Sequence, residues 1–374
     1  MQPLTKSWQI HPSITPEAEQ ALFSYPPHPM TVRRTVEELE ASGRLGAQVT
    51  FLWVGKKAPR LRGDFCGWEA EDELALKKVA TNLWGVTLTL PEDGYFEYAF
   101  FEKGERLLDP SNRKTTPNGM GKTNNCFWMP QGQPTELTRP RRSVPRGTVK
   151  TVEIDLGYTL ASLTRKVTFY QPPVAQPCPL LVVWDGSDYL RRAKLPTMLD
   201  NLIAARRIQP TALALVPNGG KSRFVEYACS EATLMALLGY VLPEAARQLN
   251  LLDIRQNPGA YGVMGASMGG LMALFTGLRF PQLFGRVLAQ SGAYAIRGYE
   301  FVTSSLVRAG EPNALQIWMD CGRYEFLLQA NRDMFALLAE RGYSVTYREY
   351  NAGHNYPAWR DDLWRGLEAL FPPQ

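Results

Sequence analysis

The spacing of apolar positions changes partway along this chain. From residue 48 to about 130 apolar residues come in short bursts. Gln48–Val54 is followed by LRGDFCGWE (61–69), LWGVTLTL (83–90) and GYFEYAFFE (94–102), each set off by Gly, Pro or Asp turn signals. Runs of this length rich in branched and aromatic residues form strands, and several at this spacing predict a small β-sandwich. From residue 151 strand-like segments alternate with helix-like ones. VEIDL (152–156) and KVTFYQ (166–171) read as antiparallel edge strands. LLVVWD (180–185), TALALVPN (211–218), AYGVMG (260–265), RVLAQSG (286–292), LQIWMD (315–320) and VTYREY (345–350) follow. Between them, SEATLMALLGYVLPEAARQL (230–249) and NRDMFALLAERG (331–342) carry helical spacing. Short buried strands alternating with helices predict an α/β fold, with a mostly parallel sheet flanked by helices.

The stretch 131–150, QGQPTELTRPRRSVPRGTVK, has three prolines, few large apolar groups and many charges. It can bury little, so it reads as a linker. The organisation expected is an N-terminal segment (1–47) with a short helix over PEAEQALFSY (16–25), a β domain (48–130), the linker (131–150) and an α/β domain (151–374).

Length and composition fit this division. A chain of 374 residues exceeds what one compact core usually needs. Hydrophobic residues make up 45% and charged residues 21%, an ordinary globular balance. The first twenty residues lack an apolar signal-peptide core, and no run approaches the length of a spanning helix, so a cytoplasmic protein with no membrane partner is expected. The formal net charge of +5 is mild for this length, and RPRRSVPR (139–146) is the one basic run, so no nucleic-acid partner is expected. The five cysteines are scattered and form no CxxC pair, which predicts neither a disulfide framework nor a metal site. No cofactor is indicated, and the oligomeric state is not legible.

The chemistry centres on Gly265-Ala266-Ser267-Met268-Gly269-Gly270, a G-x-S-x-G match between an apolar strand and the helical stretch LMALFTGLRF (271–280). That is the strand–turn–helix setting of a nucleophile elbow, which holds a serine exposed at the carboxyl edge of the sheet. Serine needs a general base. The chain has three histidines, and two of them, His11 and His28, stand in the N-terminal segment. His354 follows the last predicted strand, where the base falls when the order is Ser, acid, His. The acid belongs between them, and spacing leaves both Asp320 and Glu325 open. The oxyanion of acyl transfer needs N–H donors. The Met268 backbone is one candidate, and the loop Gly186-Ser187-Asp188 supplies Gly186 and Ser187 as others.

At these residues the chain resembles the putative-esterase branch of the α/β-hydrolases, and within it the enterochelin (enterobactin) esterases. The matching features are WDGSDY (184–189), the R-x-x-E-Y of Arg223, Glu226 and Tyr227, GASMGG (265–270), CGRYE (321–325), and AGH with a following WR (352–360). VTFLW (49–53), LW (83–84) and LDP (108–110) resemble the front domain of the same family. The resemblance implies a cytoplasmic serine esterase that opens the trilactone of a catecholate siderophore and releases iron. It implies Glu325 as the acid in preference to Asp320. It implies a substrate-binding group of Arg223, Asp188, Tyr189, Glu226 and Tyr227, with Arg223 holding an anionic substrate. Arg191, Arg192 and Lys194, just beyond the proposed oxyanion loop, read either as its helpers or as a solvated helix start. The stretch from LRGDFCGWE to LLDP resembles more closely an early-set, Ig-like β-sandwich of glycan-acting enzymes. That implies a feruloyl, acetyl or other carbohydrate ester as the alternative substrate. Two further alternatives are a non-catalytic binding protein on the hydrolase fold and an acyltransferase.

Overall fold

The computed structural model describes residues 46–119 and 121–373. The helix expected over 16–25, His11 and His28 lie outside the described residues. The larger of the sheets has eight strands: β1 (Thr148–Asp155), β2 (Thr164–Gln171), β3 (Leu180–Trp184), β4 (Ala212–Val216), β5 (Tyr261–Ala266), β6 (Phe284–Gln290), β7 (Gln316–Gly322) and β8 (Ser344–Tyr350). Their spatial order is β1-β2-β4-β3-β5-β6-β7-β8. β1 pairs antiparallel with β2, and β2 antiparallel with β4. From β4 to β8 every pairing is parallel.

The apolar runs are continuous because helices cover both faces. Along β3, Leu180, Val182 and Trp184 enter one core cluster and Leu181 and Val183 the other. Helix Met268–Arg279 packs into the first cluster. Helices Leu195–Ala204 and Tyr356–Leu370 pack into the second. The helix expected over 230–249 is split in two, Glu231–Ala236 and Leu242–Gln248, by a π-helical turn at Leu237–Val241. Among the described residues no single helix is long and apolar enough to cross a membrane.

Register decides where the chemistry sits. Ala266 of β5 pairs with Gln290 of β6, Gln290 with Asp320 of β7, and Gly322 with Tyr350 of β8. Ser267, Ser291, Glu325 and His354 therefore leave the same edge of the sheet from adjacent strands.

The front segment forms two antiparallel sheets. One contains Ala47–Val54, Leu83–Leu90 and Lys77–Ala80, and the other is built around Arg60–Gly63, Tyr95–Glu102 and Thr123–Trp128. They share an aromatic core. Phe51 meets Tyr98 at 4.9 Å and Trp53 meets Phe100 at 5.0 Å between ring centroids. That core also takes in Tyr324 of the α/β unit, whose ring stands edge-on to Phe96 at 4.9 Å. The stretch 131–147 is mostly exposed but not free of the larger unit. Leu137 is buried in the second cluster, and Asn201 Nδ2 donates to the carbonyls of Leu137 and Arg139. β1 starts at Thr148, inside the range expected for the linker.

Candidate active site

Ser267 occupies a sharp turn between β5 and helix Met268–Arg279, with φ 59° and ψ −123°. A non-glycine residue pays of order 1–3 kcal/mol for such a backbone and keeps it only where its surroundings enforce it. The enforcing contacts are visible. A Cβ on Gly265 would lie 2.5 Å from the Gly269 carbonyl, so only glycine lets strand and helix approach this closely. The Ser267 N–H donates to the Gln290 carbonyl (2.9 Å), and the Ser267 carbonyl accepts from Leu271 N and Ala293 N. Ser267 is only 4% exposed, whereas an elbow was expected to leave it open. The turn places the residue at the sheet edge without leaving it open to solvent.

His354 follows β8, and its Nδ1 is hydrogen-bonded to Glu325 Oε2. The other oxygen, Oε1, accepts from Ser291 Oγ (2.6 Å) and from the Gly322 N–H (2.8 Å). Ser291 Oγ in turn accepts from Trp359 Nε1 (2.8 Å). The indole of Trp359 also stands edge-on to the His354 ring at 4.9 Å, and Phe326 lies 5.1 Å away on another side. Asp320, the other candidate acid, is fully buried and faces elsewhere. It accepts from Trp318 Nε1 (2.9 Å) and Gln290 Nε2 (3.3 Å). Burial, with Asp362 as the next contribution, pushes its carboxyl well above the ordinary carboxylate range.

The loop after β3 is a short helix, Gly186–Arg191, entered through Asp185 in the left-handed region (φ 55°). Asp188 N and Tyr189 N donate back to the Asp185 carbonyl, leaving the Gly186 and Ser187 amides outside that ladder. Gly186 is pressed onto β4, since a Cβ there would lie 2.2 Å from the Leu215 carbonyl carbon. Met268 opens the helix that follows the serine, so its N–H is also one that helix geometry leaves without an internal acceptor. The Asp185 carboxylate lies against Gly269, with Oδ2 3.0 Å from an ideal Cβ at that glycine. That contact packs the loop after β3 against the start of the helix that follows Ser267.

The structure puts the remaining motif residues on scaffolding bonds. Arg223 lies on a short helix, Arg223–Tyr227, rather than in an open loop. Its Nε and Nη2 each meet the buried Asp185 carboxylate at 2.7 Å, and Asn218 Nδ2 adds a third donor at 2.6 Å. Tyr227 OH accepts from Asp185 N (3.0 Å). Glu226 instead forms a buried pair with Arg165 (3.0 Å). Tyr189 is fully buried and donates to Gln290 Oε1 (3.0 Å). Asp188 is partly covered, 3.8 Å from Arg192, and burial next to Asp185 raises its carboxyl. Arg192 donates to the Pro117 carbonyl of the front segment (2.8 Å) and lies over the Tyr356 ring at 4.2 Å. Arg191 and Lys194 are exposed.

This arrangement separates two roles for Arg223. Arg223→Ala strips a buried carboxylate of its cation, a change that costs about 3–5 kcal/mol when one partner of such a pair is removed. The expected result is a lower Tm and a lower kcat on a small neutral ester as well as on a charged one. A selective rise in KM for an anionic substrate, with the neutral ester untouched, would instead mark Arg223 as an anion-binding group.

Sequence reasoning missed Ser291, Gln290 and Asp185 as parts of the site. Ser291 had a signal: it ends RVLAQSG, on the strand between those carrying Ser267 and Glu325. Asp185 read as an ordinary turn residue, because its cation stands 38 positions away.

A family model described as Putative esterase matches residues 162–370. An iron(III) enterobactin esterase from Dickeya dadantii (strain 3937) is 32% identical over 210 residues, covering 52% of this chain and 48% of that protein. One from Escherichia coli (strain K12) is 28% identical over 280 residues, covering 72% of this chain and 68% of that protein. The chain thus spans about half the length of the first of these relatives and about two thirds of the second. The enterobactin esterase of Shigella flexneri, solved in the presence of enterobactin, shares the fold with a TM-score of 0.70. That match has 24% identity and covers 86% of this chain and 92% of that one. The family match runs from β2 to the end of the last helix, more than half of the chain, and the chain belongs to the putative esterase family.

Proposed function

We propose that this protein hydrolyses carboxylic esters through an acyl-enzyme on Ser267. The observation that carries the reading is the hydrogen bond between His354 Nδ1 and Glu325, at the sheet edge from which the Ser267 elbow also leaves. With Nδ1–H held by Glu325, the His354 ring presents Nε2 as the base. It takes the proton from Ser267 Oγ as that oxygen attacks the ester carbonyl. The same proton then passes to the departing alcohol. Water repeats the sequence on the acyl-enzyme, with Nε2 again as base, and frees the acid. Met268 N–H, with Gly186 or Ser187 N–H, stabilises the oxyanion in both halves. Glu325 is the acid of this triad, and Asp320 is a buried structural carboxyl. Ser291 and Trp359 orient Glu325.

The substrate we favour is a catecholate siderophore trilactone, whose opening releases its iron(III). The support is the family and the named activity of the relatives, and a cytoplasmic site of action accords with it. The front segment, 48–130, is proposed as an early-set β-sandwich joined by the linker 131–150 to the catalytic domain, 151–374, against which it packs. LRGDFCGWE in that segment favours a second reading, a feruloyl or acetyl carbohydrate esterase.

The deciding experiment compares kcat/KM on ferric enterobactin, linear siderophore fragments, feruloyl sugars and p-nitrophenyl esters. The expected order puts ferric enterobactin first, with a KM that rises with ionic strength because its charge is screened. A preference for feruloyl sugars with a salt-independent KM would select the second reading.

A further inference from the structure

The front domain reaches the histidine through one carboxyl. Asp64 sits in a short turn, Asp64–Cys66, after strand Arg60–Gly63. Its side chain enters the loop that follows β8. A Cβ on Gly353 would lie 2.2 Å from Asp64 Cγ, so the carboxyl fills the space where that loop residue has no side chain. On the other side of His354, Asn355 Nδ2 donates to Asp64 Oδ2 (3.4 Å). The Asn355 Oδ1 caps the last helix by accepting from Ala358 N (3.0 Å). The two chain neighbours of His354 are therefore both in contact with Asp64.

The carboxyl is itself fixed. Trp68 Nε1 donates to Oδ1 (2.8 Å) and Glu97 N to Oδ2 (2.8 Å). Backbone ties the front domain to the same loop, since Tyr95 N donates to the Asn351 carbonyl (3.0 Å).

We propose that Asp64 is a positioning residue for His354, so that the front domain completes the catalytic geometry whatever the substrate. The inference rests on His354 being the general base. The electrostatics agree with a scaffolding carboxyl. Burial first, and then the nearby Glu325, push Asp64 up to about 7. Burial and Asp64 push Glu97 up to about 8. Glu97 is held by Tyr95 OH and Asn124 Nδ2.

The test is a set of full-length variants assayed on a p-nitrophenyl ester, with Tm followed in each. A base displaced by an ångström can cost up to about a hundredfold. Asp64→Ala is expected to lower kcat by about tenfold or more while KM stays within about twofold. Asp64→Asn, which keeps the shape and one acceptor but turns its NH₂ toward one of the donors, should restore part of that loss. Gly353→Ala probes the same contact from the catalytic side and serves if Asp64→Ala does not fold; it too should lower kcat at constant KM. In the double variant Gly353→Ala/Asp64→Ala the added methyl no longer meets a carboxyl, so the losses should be far from additive.

His354→Ala is run alongside. If it is inactive while Asp64→Ala keeps full kcat, the positioning role is overturned and the base assignment stands. If His354→Ala keeps its activity, the base assignment itself falls. Additive losses, or an equal loss with Asn and Ala that tracks Tm, would make Asp64 a stabilising residue only and would overturn the inference.

Discussion

Ser267→Ala and His354→Ala should each lower kcat on any ester substrate by roughly 10⁴-fold or more, and the double variant should be scarcely worse than either single one. In the proposed mechanism the losses fail to add because the two side chains perform one step. Without Nε2 the hydroxyl is not activated, and without the hydroxyl the base has no proton to take. A residue of activity should survive in both, since Met268 N–H and the first amides of Gly186–Arg191 remain to meet the oxyanion. Neither change should unfold the protein. Ser267 holds its unusual backbone through its own N–H and carbonyl, and these bonds to Gln290, Leu271 and Ala293 do not involve the side chain. Ser267→Gly goes further, because glycine adopts φ 59° without penalty. It should be inactive yet at least as stable as Ser267→Ala in a thermal melt. An active Ser267→Ala would end the serine mechanism.

The centre of the larger sheet was legible because strands β3 to β6 are buried on both faces. LLVVW admits few other readings, since all five residues are inside. The elbow was legible because glycine, serine and glycine are needed at fixed spacing where strand meets helix, and the Gly265–Gly269 approach gives the physical reason. His354 stood out through scarcity. What could not be read were the relations across the chain. Arg223 looks like a free cation in sequence; in the structure a carboxylate 38 positions earlier takes up its guanidinium. The split at Leu237–Val241 is invisible to apolar periodicity, which passes through a π-helical turn without interruption. Asp64 is 289 positions from Gly353, and no local pattern links them. The near burial of Ser267 belongs to the same class, because a turn carries no information about what lies over it.

Glu325→Gln should cost about 10⁴-fold in kcat, the scale seen when a triad acid becomes an amide, while Asp320→Asn stays within about threefold of the parent. The argument is one of donors and acceptors. Glu325 Oε1 is fixed by two groups, Ser291 Oγ and the Gly322 N–H, and the Gly322 amide can only donate. In Glu325→Gln the amide oxygen must therefore stay on that side, and the NH₂ turns toward His354 Nδ1. A ring nitrogen facing a donor must accept, so the ring proton moves to Nε2. That tautomer cannot take a proton from Ser267, although the heavy-atom geometry hardly changes. Binding should be little affected, so the loss falls on kcat and not on KM. Asp320 is surrounded differently. Its neighbours are Trp318 Nε1 and Gln290 Nε2, and the His354 ring is not among its hydrogen-bond partners. Burial already disfavours its charge, so Asp320→Asn removes little charge and should appear as a lower Tm and not as a slower reaction. Steady-state kinetics with melts of both variants decide the matter. If Asp320→Asn were the inactive folded protein and Glu325→Gln the active one, the acid would be Asp320 and the hydrogen bond from His354 to Glu325 would not be the catalytic one.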